Sequence, residues 1–460
     1  PEEGGMPVGL VKPCLNGDSG CGNSRSERPA MQIDLLYGRD GLTLDMPDGA
    51  ETHLIEKPAF PACDPPAKQI ARALRDPHGA APLAELCHGK SSACILICDI
   101  TRPVPNYLFL RPMIEIMTAG GIPLDRITVL IATGLHRPNE GAEMDELVGD
   151  PWVLENVRVE NHFALNDADH VDLGVTEGRG VPIKLDRRFV EAELKIATGL
   201  VEPHFMAGFS GGRKVVAPGV AHHETIRTFH SARFMEDPAA RECNLTGNPL
   251  HEEQLEIVRR LGDVYALNTV IDDKRNLVFC SFGEIIESHL AAVDFVRGYT
   301  EIPVGRKFRT VVTSSAGYPL DQTYYQTVKG MVTPLDILED GGTLIVASQC
   351  AEGIGSDHFR AAQERLVRLG PEAFLKTLLA KDFADVDEWQ TEMQLKPMRV
   401  GRIQLYSGTL SDSDHAVTGV DRITDLHDAI AASIAHHGDA AVAVIPEGPY
   451  VVPKAAAGPG

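Results

Sequence analysis

Short apolar runs recur along the chain with helical text between them. Ala93–Ile100, Ile127–Thr133 and Leu194–Leu200 are strand-sized and rich in Val, Ile and Leu, the composition of strands covered on both faces. Between the first two, Arg111–Ala119 has helical spacing and stops at Gly120–Gly121, which completes a strand–helix–strand unit. Farther on, His251–Leu261 predicts a helix and Val264–Val270 with Leu277–Phe282 a hairpin. Glu284–Tyr299 predicts a helix in which Ile285, Ile286, Leu290, Val293 and Val296 supply the apolar positions. After Pro303–Lys307 the pattern restarts with strand Thr310–Ser314, helix Gln322–Leu338, strand Gly342–Ser348 and helices Ala361–Leu369 and Glu372–Leu379. Helix Leu426–His436 and strand Ala440–Ile445 close it. This alternation predicts an α/β protein of two α/β domains, with mainly parallel sheets and an active-site cleft between them. A boundary near residue 305 divides an N-terminal domain (31–304) from a C-terminal one (305–436), and the tail 437–460 is expected to return to the first.

Residues 1–30 are rich in Gly, Ser, Pro and Asn without hydrophobic period, and read as a flexible leader or an expression remnant. Met31 opens the first strand-like text. The chain carries 43 Lys+Arg against 65 Asp+Glu, a formal charge of −22, the wrong sign for binding nucleic acid or an anionic membrane. No apolar run approaches the ~18–20 residues that cross a bilayer, so the expectation is a cytoplasmic protein. Nine cysteines, an odd number without a C-x-x-C pair, argue against a disulfide framework or a structural zinc site.

Four segments carry chemistry. Asp99-Ile-Thr101-Arg102-Pro-Val-Pro105 stands where a buried strand ends, the usual place for a ligand in an open α/β sheet. Arg102 there is suited to clamp a carboxylate or phosphate, or else to pair with Asp99 and tie the loop down. Thr133-Gly134-Leu-His136 follows the next strand in the same way. The third segment, Gly199-Leu-Val-Glu-Pro-His204-Phe-Met-Ala-Gly208-Phe-Ser210-Gly211-Gly212-Arg213-Lys214, fits neither the dinucleotide nor the P-loop fingerprint. Its Ser-Gly-Gly lets backbone N–H groups approach an anion, and Arg213 and Lys214 add positive charge. A deprotonated lysine also bonds to acyl-type carbons, so Lys214 is a candidate covalent anchor; the alternative is a solvated basic turn. His222, His223 and His230 follow, side chains that suit nickel, zinc or copper but lack a carboxylate at metal-site spacing. In the fourth segment, Tyr325-Gln326-Thr-Val-Lys329, Gln326 and Lys329 share a helix face, which either orients a small acid or faces solvent.

Together these segments resemble the lactate racemase family, whose members carry a nickel-pincer nucleotide. The similarity runs from about Met31 to Pro453, and its most specific stretch is EPHFMAGFSGGRK, Glu202–Lys214. The resemblance implies a racemase or epimerase that inverts C2 of a small 2-hydroxy acid. It implies a nickel-bound pyridinium-3-thioamide-5-thiocarboxylic acid mononucleotide joined to Lys214 and ligated by His230, loaded by dedicated cofactor-synthesis enzymes. By the same matching His136 and His204 become the acid/base pair. Arg102, Gln326 and Lys329 become substrate contacts, Tyr325 and Trp389 line the pocket, and Asp99, Thr101, Ser210, Gly211, Gly212 and Arg213 belong to the cofactor site. The cofactor's ring carbon accepts hydride and leaves a flat keto acid that can receive it on the other face. The family acts on lactate, malate, aryl-lactates and sugar acids, so the substrate stays open.

Two rivals remain at this level. One is a hydrolase or lyase that uses His136, His204 and His230 around another metal, which leaves Ser210–Lys214 without a role. The other is a non-catalytic nucleotide binder, which would need Lys214 but neither His136 nor His204.

Overall fold

The computed structural model describes residues 31–455; the expected leader, 1–30, and the last five residues lie outside the described part. Two six-stranded sheets organise the chain, and the α/β expectation holds. The first has the order Leu277–Glu284, Tyr265–Ile271, Leu194–Leu200, Ala93–Cys98, Ile127–Ala132, Arg158–Asn161. It is parallel except for the hairpin Tyr265–Ile271/Leu277–Glu284 at one edge. The second, parallel throughout, runs Asp421–Ile423, Arg402–Tyr406, Leu338–Ala347, Phe308–Ser314, Ala441–Ile445, Glu51–Leu54. Central strands such as Ala93–Cys98 and Phe308–Ser314 are buried along nearly their whole length, as their uninterrupted apolar text requires.

The tail corrects the expected domain plan. Ala441–Ile445 does not return to the first sheet; it lies between Phe308–Ser314 and Glu51–Leu54 in the second. All five of its residues are buried, so it needs a neighbour on each side, and the chain's own beginning supplies the outer one. The hairpin Gln32–Leu35/Leu42–Asp45 follows the same path: Ile33, Leu35 and Leu44 pack with Val312, Ile345 and Ile430 of the second half. Only Val452–Ala455 turns back, pairing with Glu301–Val304.

The helix expected over Gln322–Leu338 is shorter. It runs Tyr324–Val332, starts on Thr323, whose side chain accepts from the Gln326 N–H, and tightens into a 3-10 turn at Thr333–Asp336. Pro334 cannot continue an α-helix, and Leu338 already begins the next strand. The helix Glu388–Val400 has no counterpart in the expected elements. One apolar cluster spans both halves, joining Leu96 and Ala197 to Val311, Leu344 and Tyr324. Among the described residues no helix is long and apolar enough to cross a membrane.

Candidate active site

Three adjacent parallel strands of the first sheet end on the same side and open directly into the chemistry-bearing loops. Ala93–Cys98 leads to Asp99, Ile127–Ala132 to His136, and Leu194–Leu200 to His204. Helix Tyr324–Val332 brings Tyr325, Gln326 and Lys329 against them, and helix Glu388–Val400 brings Trp389. Every site residue expected from sequence lines this one cleft except Gly212 and Arg213.

The hydrogen-bond partners of the three cleft histidines fix their tautomers. His136 Nδ1 lies 2.5 Å from Asp99 Oδ2, so Nδ1 carries the proton and Nε2 keeps its lone pair. Asp99 also accepts from Thr101 Oγ1 at 2.6 Å. Burial works against the Asp99 carboxylate, but the bond to His136, with Thr101 and Arg102 behind it, outweighs burial and holds the group below the ordinary aspartate value. His230 Nδ1 lies 2.8 Å from the Ile226 carbonyl, which likewise leaves Nε2 as a free lone pair. Burial pushes His230 down to about 3, so the ring is neutral, and it sits 5.0 Å from the Trp389 ring. His204 is the reverse case. Its Nδ1 accepts from the backbone N–H groups of Met206 and Ala207 at 3.4 and 3.3 Å, so the proton is on Nε2. Burial, then Lys214, Lys329 and Arg102, keep His204 uncharged.

Lys214 stands in the first turn of the short helix Arg213–Val216, after Gly211 and Gly212 with φ of 75° and 49°. Only glycine fits the second of these: a Cβ on Gly212 would come within 2.8 Å of the His289 ring. Lys214 makes no ion pair among the described residues, and burial, then Arg102 and Arg213, pushes its amine down to about 7. Arg213 corrects the expectation that both cations face an anion. Its guanidinium is buried and donates to the Ala207 and Phe209 carbonyls at 2.8 and 2.9 Å, beside His289 Nε2. One helical step separates the two side chains, and it sends Arg213 into the hairpin core while Lys214 enters the cleft. Ser210 lines the cleft, but its hydroxyl donates to Leu200 O and accepts from the Glu202 N–H.

Arg102 pairs with Glu202 at 3.9 Å. Lys329 is held well below the ordinary lysine value by burial and then by Arg102. Trp389 Nε1 donates to the Tyr325 hydroxyl at 3.3 Å, and Gln326 Oε1 is buried without a partner. Glu202, Asp387 and Gln390 complete the surroundings and were not singled out in the sequence, where nothing in their spacing marks them. His222 and His223 lie elsewhere. His222 caps helix His223–Phe229 through Nδ1 and meets Asp167 through Nε2. Among the described residues the groups close enough to share an ion are Asp167–His222–His223 and Asp425–His427–Asp428. Neither is in the cleft, which removes the support for a metal shared by His136, His204 and His230.

Two family profiles match this chain: the lactate racemase N-terminal domain over residues 37–242 and the lactate racemase C-terminal domain over residues 306–452. The chain belongs to the lactate racemase family. It is 30% identical over 427 residues to a lactate racemase of Thermoanaerobacterium thermosaccharolyticum, covering 91% of this chain and 98% of the relative. To a lactate racemase of Lactiplantibacillus plantarum it is 30% identical over 436 residues, covering 92% and 99%. The lactate racemase apoprotein structure from T. thermosaccharolyticum superposes with a TM-score of 0.86 at 28% identity, over 92% of this chain and 100% of that one. A Thermotoga maritima structure shares the fold, with a TM-score of 0.62 at 17% identity over 81% and 96%. The protein is therefore an isomerase of the racemase type.

Proposed function

We infer that this racemase inverts C2 of a small 2-hydroxy acid by reversible hydride transfer, with a nickel-pincer nucleotide held by Lys214 and His230. The observation that carries the reading is the convergence of a depressed lysine amine and two imidazoles with free Nε2 lone pairs on one cleft.

The residues present fit such a group. A lysine amine near neutrality is a nucleophile without prior deprotonation, as a covalent tether requires. The His230 ring is neutral and donates Nδ1–H to a carbonyl, the arrangement that orients a metal-ligating imidazole. When bound, the cofactor supplies a nickel-held ring carbon able to take and return hydride. Proton abstraction alone serves this reaction poorly, because a carbanion beside an ionised carboxylate lies far beyond a base with pKa near 7.

The chain's own residues account for the rest. Arg102 and Lys329 are the basic side chains suited to hydrogen-bond the substrate carboxylate. His136 takes the hydroxyl proton on Nε2, while Asp99 holds the ring and stabilises the imidazolium. His204, expected as an equivalent base, is a neutral Nε2–H hydrogen-bond donor suited to the oxygen on the opposite side, and the proton that His136 took is the one restored to the product hydroxyl.

The test uses protein produced together with cofactor-synthesis enzymes. Substrate deuterated at C2 should keep its label through inversion in water, and His136→Ala and His204→Ala should each lose turnover while still binding the acid. Washout of the label to solvent would overturn hydride transfer.

A further inference from the structure

Asp387 is the acid of the cleft that the reaction does not use. It lines the cavity beside Tyr325, Trp389 and Gln390, on the wall supplied by helix Glu388–Val400. Its backbone is left-handed, with φ of 62°, a conformation L-residues adopt at a cost. It is the residue before that thirteen-residue helix, and its side chain makes no capping hydrogen bond to the helix. Its neighbour Glu388 turns the other way and is neutralised by Arg365 and Lys381. Asp387 makes no ion pair among the described residues. What it accepts is a hydroxyl proton: Ser356 Oγ lies 2.5 Å from Oδ2, and nearby is the Tyr325 phenol, which burial and then Asp387 hold in its protonated form. A carboxylate has about four acceptor sites, so the Ser356 bond leaves acceptor capacity on a side chain that lines the cleft.

A second acceptor lines the cavity. Gln326 Oε1 is buried and has no partner, whereas the Gln390 amide is engaged, donating to the Tyr325 carbonyl at 2.6 Å. Arg102 and Lys329 serve the carboxylate and Lys214 the tether, and none pairs with Asp387.

We propose that Asp387 selects the substrate's tail, accepting hydrogen bonds from hydroxyl groups beyond C2 and repelling a second carboxylate, so that the substrates of this enzyme are polyhydroxy acids of the glycerate and aldonate class rather than dicarboxylates. The inference rests on the racemase reading above and adds the class of acid. A hydroxyl donor gains a charge-assisted bond at Asp387, while a dicarboxylate brings like charge to a site without a compensating cation.

Two measurements separate this proposal from the reading beneath it. With cofactor-loaded protein, single-enantiomer glycerate, a six-carbon aldonate, lactate and malate are compared by chiral chromatography. The expected kcat/KM for glycerate or the aldonate exceeds that for malate at least tenfold, and Asp387→Asn narrows the ratio at least tenfold. Asparagine tolerates left-handed backbone, so the variant keeps the fold. Independently, Trp389 fluorescence in a Trp152→Phe background reports binding of glycerate and malate to protein without turnover. Discrimination that Asp387→Asn and Asp387→Ser both erase supports the selector even if no acid is inverted, a result that would count against the racemase reading alone. Malate equal to glycerate in either assay, or a ratio untouched by both substitutions, overturns the proposal.

Discussion

Asp99 Oδ2 and His136 Nδ1 are 2.5 Å apart, and that contact decides which nitrogen of His136 faces the cleft as a base. The same carboxylate stabilises the imidazolium once a proton arrives. Asp99→Asn keeps the shape and removes the charge, so kcat should fall by about 10²–10⁴-fold while KM moves by less than about threefold. Steady-state kinetics on protein with matched cofactor loading measure this. A raised KM at unchanged kcat would make Asp99 a binding residue instead.

His204 and His136 should be distinguishable without any turnover. Two backbone N–H groups point at His204 Nδ1, and backbone N–H can only donate, so the neutral ring carries its proton on Nε2. Long-range ¹⁵N–¹H spectra of ring-labelled protein should give the Nε2–H pattern for His204 and the Nδ1–H pattern for His136 and His230. Nδ1–H at His204 would show that the Met206–Ala207 turn does not set the ring.

Lys214 has a cost that the apoprotein can report. Its folded pKa of about 7 lies below the unfolded value near 10.4, so between these the unfolded chain binds more protons and stability rises with pH. At pH 7 the buried amine therefore destabilises the fold, on the order of 2 kcal/mol once its opening to the cleft is discounted. Lys214→Met should raise the melting temperature at pH 7 and lose that advantage towards pH 10. Competitive acylation should also find the Lys214 amine half-reactive near pH 7, where exposed lysines are protonated. An ordinary lysine titration at this position would remove the case for a primed nucleophile.

The parts of this site legible in the sequence are those where an apolar run stops at a polar residue. Asp99 and His136 announce themselves because Ala93–Cys98 and Ile127–Ala132 are apolar until the strand ends. Other features depend on contacts between distant parts of the chain. Ala441–Ile445 reads as a central strand, but its composition does not say which sheet it enters, and its outer partner, Glu51–Leu54, is too polar and exposed to read as a strand. Asp387 takes its place from a left-handed backbone that no periodicity reveals. Arg213 and Lys214 are adjacent and both cationic, and one helical step gives them opposite surroundings.

That last pair yields a prediction of opposite sign to the one for Lys214. Arg213 is buried and pushed down to about 9 by burial, yet it donates to the carbonyls of Ala207, in the turn of the hairpin Pro203–His204/Gly208–Phe209, and Phe209, in its second strand. Removing the guanidinium takes one donor from each carbonyl, leaving the Ala207 oxygen with the Phe209 N–H alone, a change that costs about 1–3 kcal/mol. Arg213→Met should therefore lower the melting temperature, although a buried positive charge is lost in both variants. Ala207 joins the two effects, because its carbonyl accepts from Arg213 and its N–H points at His204. A slackened Ala207 releases the His204 ring, so kcat should fall in Arg213→Met protein that still forms the Lys214 adduct by intact mass. Unchanged stability would mean that these carbonyls find other donors, and full kcat in a destabilised variant would detach Arg213 from the positioning of His204.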